Sequence, residues 1–135
     1  MKKLEWSNSL SLDIPVIDNQ HKAIFVAINR LLESFNEGKE AELAFEVLAF
    51  VEEYVNKHFA TEEFYLKKYA YADYENHAQL HKNFTKRLQA FKDSHRRGGL
   101  TKMAAVEMQE FLIDWWVVHI QKVDSKYASL LKNKM

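Results

Sequence analysis

The sequence predicts an all-α fold: an antiparallel, up-down-up-down four-helix bundle with an N-terminal arm and a short C-terminal helix. Three observations lead there. Apolar residues recur at helical spacing through four long segments, and no segment shows the sustained period-two alternation of a half-buried strand. The chain has only three glycines and one proline, and they fall between those segments. The connections they mark are short, which makes successive helices antiparallel neighbours.

Taken in order, residues 1–17 read as an arm laid over the bundle, with Trp6 as its anchor. Pro15 precedes a first helix expected over about residues 18–37, which Asp18 or Asn19 can cap. Its stripe is Ile24, Ile28, Leu31 and Phe35, and Gly38 is its C-terminal stop. A second helix, about residues 41–66, carries Ala44, Val47 or Leu48, Val51, Val55 and Phe59. Residues 67–73 read as a turn, with Asp73 as a cap for a third helix over about residues 74–94. Leu80, Phe84, Leu88 and Phe91 stand at core spacing on it, and Gly98 with Gly99 marks the next break. Thr101 caps a fourth helix, about residues 102–120, carrying Met108, Leu112, Trp115 and His119. A short helix over about residues 125–131 follows. The length of 135 residues suits a single domain, residues 1–135, with one core.

Composition removes several function classes. Lys and Arg together number 19, as do Asp and Glu, so the formal net charge is zero. That balance gives no general attraction to nucleic acid or to an anionic membrane surface. No run approaches the roughly 18 apolar residues of a membrane-inserting helix. The N-terminal residues lack the apolar core and cleavage site of a signal peptide, so a cytoplasmic location is expected. There is no cysteine. Disulfides, thiolate zinc sites and cysteine-ligated iron–sulfur clusters are excluded, and any metal must be held by histidine and carboxylate.

The histidines carry the chemistry. His58 and Glu62 are four residues apart on the second helix, and His77 and His81 are four apart on the third, so each pair shares a helix face. The face is the apolar one. His58 continues the stripe of Val51 and Val55, and His77 and His81 continue the stripe of Phe84 and Leu88. Buried there, such groups must be paired, protonated or bound to metal. Topology adds two more. His21 lies near the start of the first helix and His119 near the end of the fourth, so an antiparallel bundle brings all five histidines to one level. His95, in a charged helix end, reads as a solvated surface residue. Asp124 follows His119 by five residues, about 140° round a regular helix. Both can reach one metal only through a π-type distortion or a helix end near Val123.

With these residues in view, the sequence resembles the bacterial hemerythrins along nearly its whole length. The pattern is His21, 36 residues, His58, three, Glu62, 14, His77, three, His81, 37, His119, four, Asp124. Its surroundings match as well: Asp18-Asn19-Gln20-His21-Lys22, His58-Phe59 with Glu62-Glu63, His81 with Phe84, and His119-Ile120. The resemblance implies a hemerythrin-like domain with a cofactor of two iron ions. His77, His81 and His119 would ligate one ion, His21 and His58 the other, and Glu62 and Asp124 would bridge them. Asp124 is nominated by the resemblance alone, and Glu63 would be an ordinary solvated acid. Five imidazoles, two bridging carboxylates and one oxo or hydroxo bridge fill all but one position around two six-coordinate ions. The open position falls on the two-histidine ion, where the resemblance places reversible O₂ binding.

That reaction needs a dry pocket. Ile24, one turn after His21, Phe59 beside His58 and Ile120 beside His119 suit its lining. Trp116 departs from the family, which usually has leucine three residues before the helix-four histidine. An indole there would narrow the pocket, and its N–H could donate a hydrogen bond. The expected role is O₂ storage, delivery or scavenging by a non-enzyme, with at most a weak peroxidase-type side activity. O₂ is the partner, an unidentified oxygen-consuming enzyme is one recipient, and a monomer is favoured. The rival readings are oxygen or redox sensing through a partner protein, and a di-iron enzyme handling peroxide or nitric oxide.

Overall fold

The computed structural model describes residues 3–36, 41–96 and 101–135. Four long helices dominate them: α1 (Pro15–Asn36), α2 (Ala41–Lys68), α3 (Tyr74–Arg96) and α4 (Lys102–Val118). A π-helical turn (His119–Val123), a 3₁₀ turn (Asp124–Tyr127) and the short helix α5 (Ala128–Leu131) complete the chain. The described residues contain no strand, and none of their helices is long and apolar enough to cross a membrane. The helices run antiparallel. His21 at the start of α1 meets His58 near the end of α2, and His81 at the start of α3 meets His119 just past α4.

Helix α1 starts at Pro15, three residues before the expected cap. Proline suits the first helical position, where its missing N–H is no loss. Asp18 therefore lies inside the helix and caps nothing. Its carboxylate instead accepts from the Leu12 N–H at 2.9 Å and the Ser11 hydroxyl at 2.6 Å, fastening the arm. The arm is held by more than Trp6. Leu4, Leu10, Leu12 and Ile14 are buried, and the Leu4 backbone exchanges two 2.8 Å hydrogen bonds with the Asn29 side chain. Trp6 is half-buried, edge-on to Phe25 at 5.7 Å.

Helix α2 ends in a Schellman motif. Tyr71 N–H bonds to Leu66 O at 2.9 Å and Ala70 N–H to Lys67 O at 3.2 Å, with Ala70 left-handed at φ 54°. Thr101 caps α4 by accepting from the Ala104 N–H at 3.1 Å. Asp73, just before α3, accepts from the Asn76 side chain. The stops assigned to Gly38 and to Gly98 and Gly99 lie outside the described residues.

Two stripe positions differ from expectation. Leu80 is only partly buried, because the α3 stripe runs His77, His81, Phe84, Leu88 and Leu80 sits one residue off it. On α4 the stripe is Met108, Leu112, Trp116, so Trp116 rather than Trp115 is enclosed. His95 is half-buried at the surface, with its ring 4.8 Å from Phe91. On the surface, Val26, Phe50 and Tyr54 are exposed along a shared cleft between α1 and α2.

The core is divided, and the division positions the site. A large apolar cluster contains Ile24, Phe59, Phe84, Trp116 and Ile120. A second contains Ile17, Leu66, Tyr127 and Leu131. Along α1 the stripe passes from Ile17 through His21 to Ile24. Along α2 it passes from Phe59 through Glu62 to Leu66, and along the last segment from Ile120 through Asp124 to Tyr127. The polar residues thus form one layer between two apolar layers.

Candidate metal centre

All seven side chains expected at the site come together in that layer. His21, His58, Glu62, His77, His81, His119 and Asp124 are between 0% and 3% exposed. No solvent is available to satisfy their polar atoms, so those atoms must satisfy one another or hold a cation.

The imidazoles fall into two sets. His21 and His58 have ring centroids 4.5 Å apart. His77 lies 4.6 Å from His81 and 5.2 Å from His119, and His81 and His119 are 5.3 Å apart. Each carboxylate touches both sets. Asp124 presents Oδ2 to His21 Nε2 at 3.2 Å, and Oδ1 to His77 Nε2 at 3.2 Å and His119 Nε2 at 3.1 Å. Glu62 presents Oε1 to His58 Nε2 at 2.8 Å and His81 Nε2 at 3.5 Å, and Oε2 to His77 Nε2 at 3.5 Å.

These separations suit donors around a shared ion. Two donors at right angles on one ion, with bonds of about 2.1 Å, lie about 3.0 Å apart. All five Nε2 atoms, Glu62 Oε1 and both Asp124 oxygens are buried without a hydrogen-bond partner among the described residues. The donors form two overlapping groups, Glu62 with His77, His81 and His119, and His21 and His58 with Glu62 and Asp124. The cluster fits a bound metal and leaves its own polar atoms unsatisfied without one.

The backbone explains how Asp124 arrives. Its N–H reaches back to the His119 carbonyl, a five-residue step, and also contacts Ile120 O. The π turn opens the helix by one residue, returning the fifth residue to the histidine face. The short 3₁₀ turn then sets Tyr127 beneath Glu62, whose Oε2 accepts the Tyr127 hydroxyl hydrogen bond.

Outer contacts orient the ligand rings. His58 Nδ1–H donates to Gln20 Oε1 at 2.8 Å, and the Gln20 amide nitrogen donates to Thr61 Oγ1 at 3.3 Å, which settles the direction of the amide. His81 Nδ1–H donates to Glu63 Oε2 at 3.0 Å. In both rings the proton sits on Nδ1, leaving the Nε2 lone pair facing the centre. Glu63 is therefore not the ordinary solvated acid expected from its position beside Glu62. Gln20, Glu63 and Tyr127 are the residues that sequence reasoning missed. Only their spacing is visible there: Gln20 precedes His21, Glu63 follows Glu62, and Tyr127 follows Asp124 by three.

Electrostatics follow the same plan. Burial and the facing Asp124 oppose ionisation of Glu62, but His58 and His77 outweigh them and hold its carboxyl well below the usual range. Asp124 is likewise held far down, burial being overcome by His119, His21 and His77. His77 resists its own desolvation through Asp124 and Glu62 and is raised to about 9. Desolvation dominates at His81, which is lowered to about 3. Burial, then Asp124 and Glu62, push Tyr127 well above 10 and keep it a donor.

The four residues expected around the pocket are all buried, Ile24 at 1%, Phe59 at 5%, Trp116 and Ile120 at 0%. Trp116 lies 6.3 Å from the His21 ring and 6.0 Å from His58, so it faces the two-histidine set. Phe59 stacks on His81 at 3.7 Å.

Known proteins resemble this chain in sequence and in fold. Residues 12–131 match the family described as the hemerythrin HHE cation binding domain. The chain belongs to the hemerythrin family. It is 31% identical to a bacteriohemerythrin of Pseudomonas paraeruginosa, over 100% of this chain and 86% of that one. It is 30% identical to a hemerythrin of Sipunculus nudus, over 93% and 92% of the two chains. A wild-type hemerythrin crystal structure superposes with a TM-score of 0.85 at 26% identity, covering 96% of this chain and 98% of that one. Hemerythrin membership implies an iron cofactor, and the buried donor set fits one.

Proposed function

We propose that this hemerythrin binds O₂ reversibly at two iron ions, for oxygen storage, delivery or scavenging. In this reading His77, His81 and His119 would hold one ion and His21 and His58 the other, with Glu62 and Asp124 each placed to serve both. The observation that carries it is the division of five imidazoles into sets of two and three, with each carboxylate reaching both sets. Unequal histidine counts leave the His21–His58 ion with fewer protein ligands, and so with the site for a small exogenous molecule.

Two ferrous ions supply a reversible two-electron exchange with O₂. The chain's own residues make that exchange selective. Gln20 and Glu63 hold the His58 and His81 rings in the tautomer that presents Nε2. Tyr127 fixes one oxygen of Glu62. In this reading the buried Ile24, Phe59, Trp116 and Ile120 line the pocket and keep out water that would compete for the ion, with Trp116 placed beside His21 and His58.

The experiment is optical. Iron-loaded protein is reduced without air, exposed to O₂ and then placed under vacuum. A charge-transfer band that appears with O₂ and disappears under vacuum is expected. Continuous O₂ consumption with no recoverable band would instead indicate an oxidase.

A further inference from the structure

The two tryptophans of α4 serve different sets of histidines. Trp115 lies over His119, with centroids 4.2 Å apart and planes within 12°. Trp116, 0% exposed, stands beside His21 and His58. Phe59 stacks on its face at 5.8 Å and Phe84 meets it edge-on at 5.6 Å. Its Nε1–H has no hydrogen-bond partner among the described residues.

A buried indole N–H ordinarily finds an acceptor. A leucine or phenylalanine at this place would fill the core without carrying an unsatisfied donor, so the indole nitrogen is a local cost with no intramolecular return. The Nε2 atoms of His21 and His58 are turned toward Asp124 and Glu62, and the unpartnered Nδ1 of His21 makes no hydrogen bond with the indole. Among the described residues no acceptor bonds to the indole N–H, and the polar rings packed beside the indole are those of His21 and His58.

We propose that the Trp116 Nε1–H is the hydrogen-bond donor to the small ligand that enters beside His21 and His58, and that it selects ligands with negative charge on the atoms facing it. This rests on the reading of that half as the O₂ side. A neutral molecule gains little from the donor. An anion, or O₂ as it draws charge, gains a charge-assisted hydrogen bond in a dry environment, where such bonds are strong. Trp116 is thus a determinant of ligand choice as well as of packing.

The probe is azide, a small linear anion, titrated into iron-loaded, oxidised protein and followed by its charge-transfer band. Three forms are compared: the parent, Trp116→Phe, and a form carrying benzothienylalanine at position 116, which keeps the indole shape and replaces the N–H with sulfur. Azide binding about tenfold weaker in both altered forms, at unchanged iron content, is expected from loss of one charge-assisted hydrogen bond. Equal azide affinity in the parent and the benzothienyl form, or loss of iron from the latter, overturns the proposal while a parent that binds O₂ reversibly keeps the functional reading. A parent that loads iron yet binds neither azide nor O₂ overturns both.

Discussion

The Glu63 carboxylate accepts a hydrogen bond from the Nδ1–H of His81 at 3.0 Å. The equivalent position on His58 is taken by the neutral amide of Gln20 at 2.8 Å. An anionic acceptor makes an imidazole a stronger donor to metal than a neutral acceptor does. Helix α3 therefore presents a ligand backed by a charged acceptor to the three-histidine half, and α2 one backed by a neutral amide to the two-histidine half. Glu63→Ala is expected to weaken metal binding by about 10–100-fold. Glu63→Gln should lose less, because its amide oxygen can still accept. Chelator competition on the two variants measures this, and an unchanged affinity in Glu63→Ala would show the contact to be incidental.

Tyr127 ties the end of the chain to Glu62 across the boundary between the two apolar clusters. Tyr127→Phe keeps the ring that packs 5.6 Å from His77 and removes the donor to a buried carboxylate. A loss of about 2 kcal/mol is expected for a hydrogen bond to a charged group. Urea denaturation of the metal-free variant reads it directly, and a change below about 0.5 kcal/mol would contradict the role given to the hydroxyl.

Ala70 closes α2 in the left-handed region at φ 54°, fully in the turn and exposed. A Cβ there costs roughly 1 kcal/mol that glycine avoids. Ala70→Gly should stabilise the protein by about that amount and leave metal binding unchanged. Thermal unfolding midpoints of the two forms provide the check.

The metal-free cluster has its own pH signature. His77 is raised from 6.5 to about 9, so it binds more proton folded than unfolded between those values, and its contribution is lost as pH rises through about 9. His81 is lowered from 6.5 to about 3, so the unfolded chain takes up more proton below 6.5 and stability falls as pH drops toward 3. The depressed Glu62 and Asp124 act in the same direction at low pH. Metal-free protein should therefore be most stable near pH 6.5, as read by denaturant midpoints across pH. Metal loading at neutral pH displaces the His77 proton, so loading in weak buffer should acidify the solution.

Much of this arrangement is legible in the sequence, for identifiable reasons. The i,i+4 pairs His58/Glu62 and His77/His81 lie on regular helices, so phase against Val55 and Phe84 already gives their direction. His21 and His119 follow from antiparallel topology. Asp124 does not follow from phase, because the π turn shifts every later residue by one step. Leu80 misleads because four-residue spacing from Phe84 looks like the core stripe, yet Leu88, Phe84, His81 and His77 occupy it. Gln20, Glu63 and Tyr127 stay hidden because their contacts run between helices and depend on side-chain reach.

The most direct test of a two-ion O₂ centre is stoichiometry. Iron per chain is measured on the loaded protein, and O₂ uptake is then titrated into the reduced form and withdrawn under vacuum. Two irons per chain, one O₂ taken up per pair and full recovery of that O₂ are the results expected of the donor set around Glu62 and Asp124. A single iron per chain, or O₂ consumed without recovery, would contradict it.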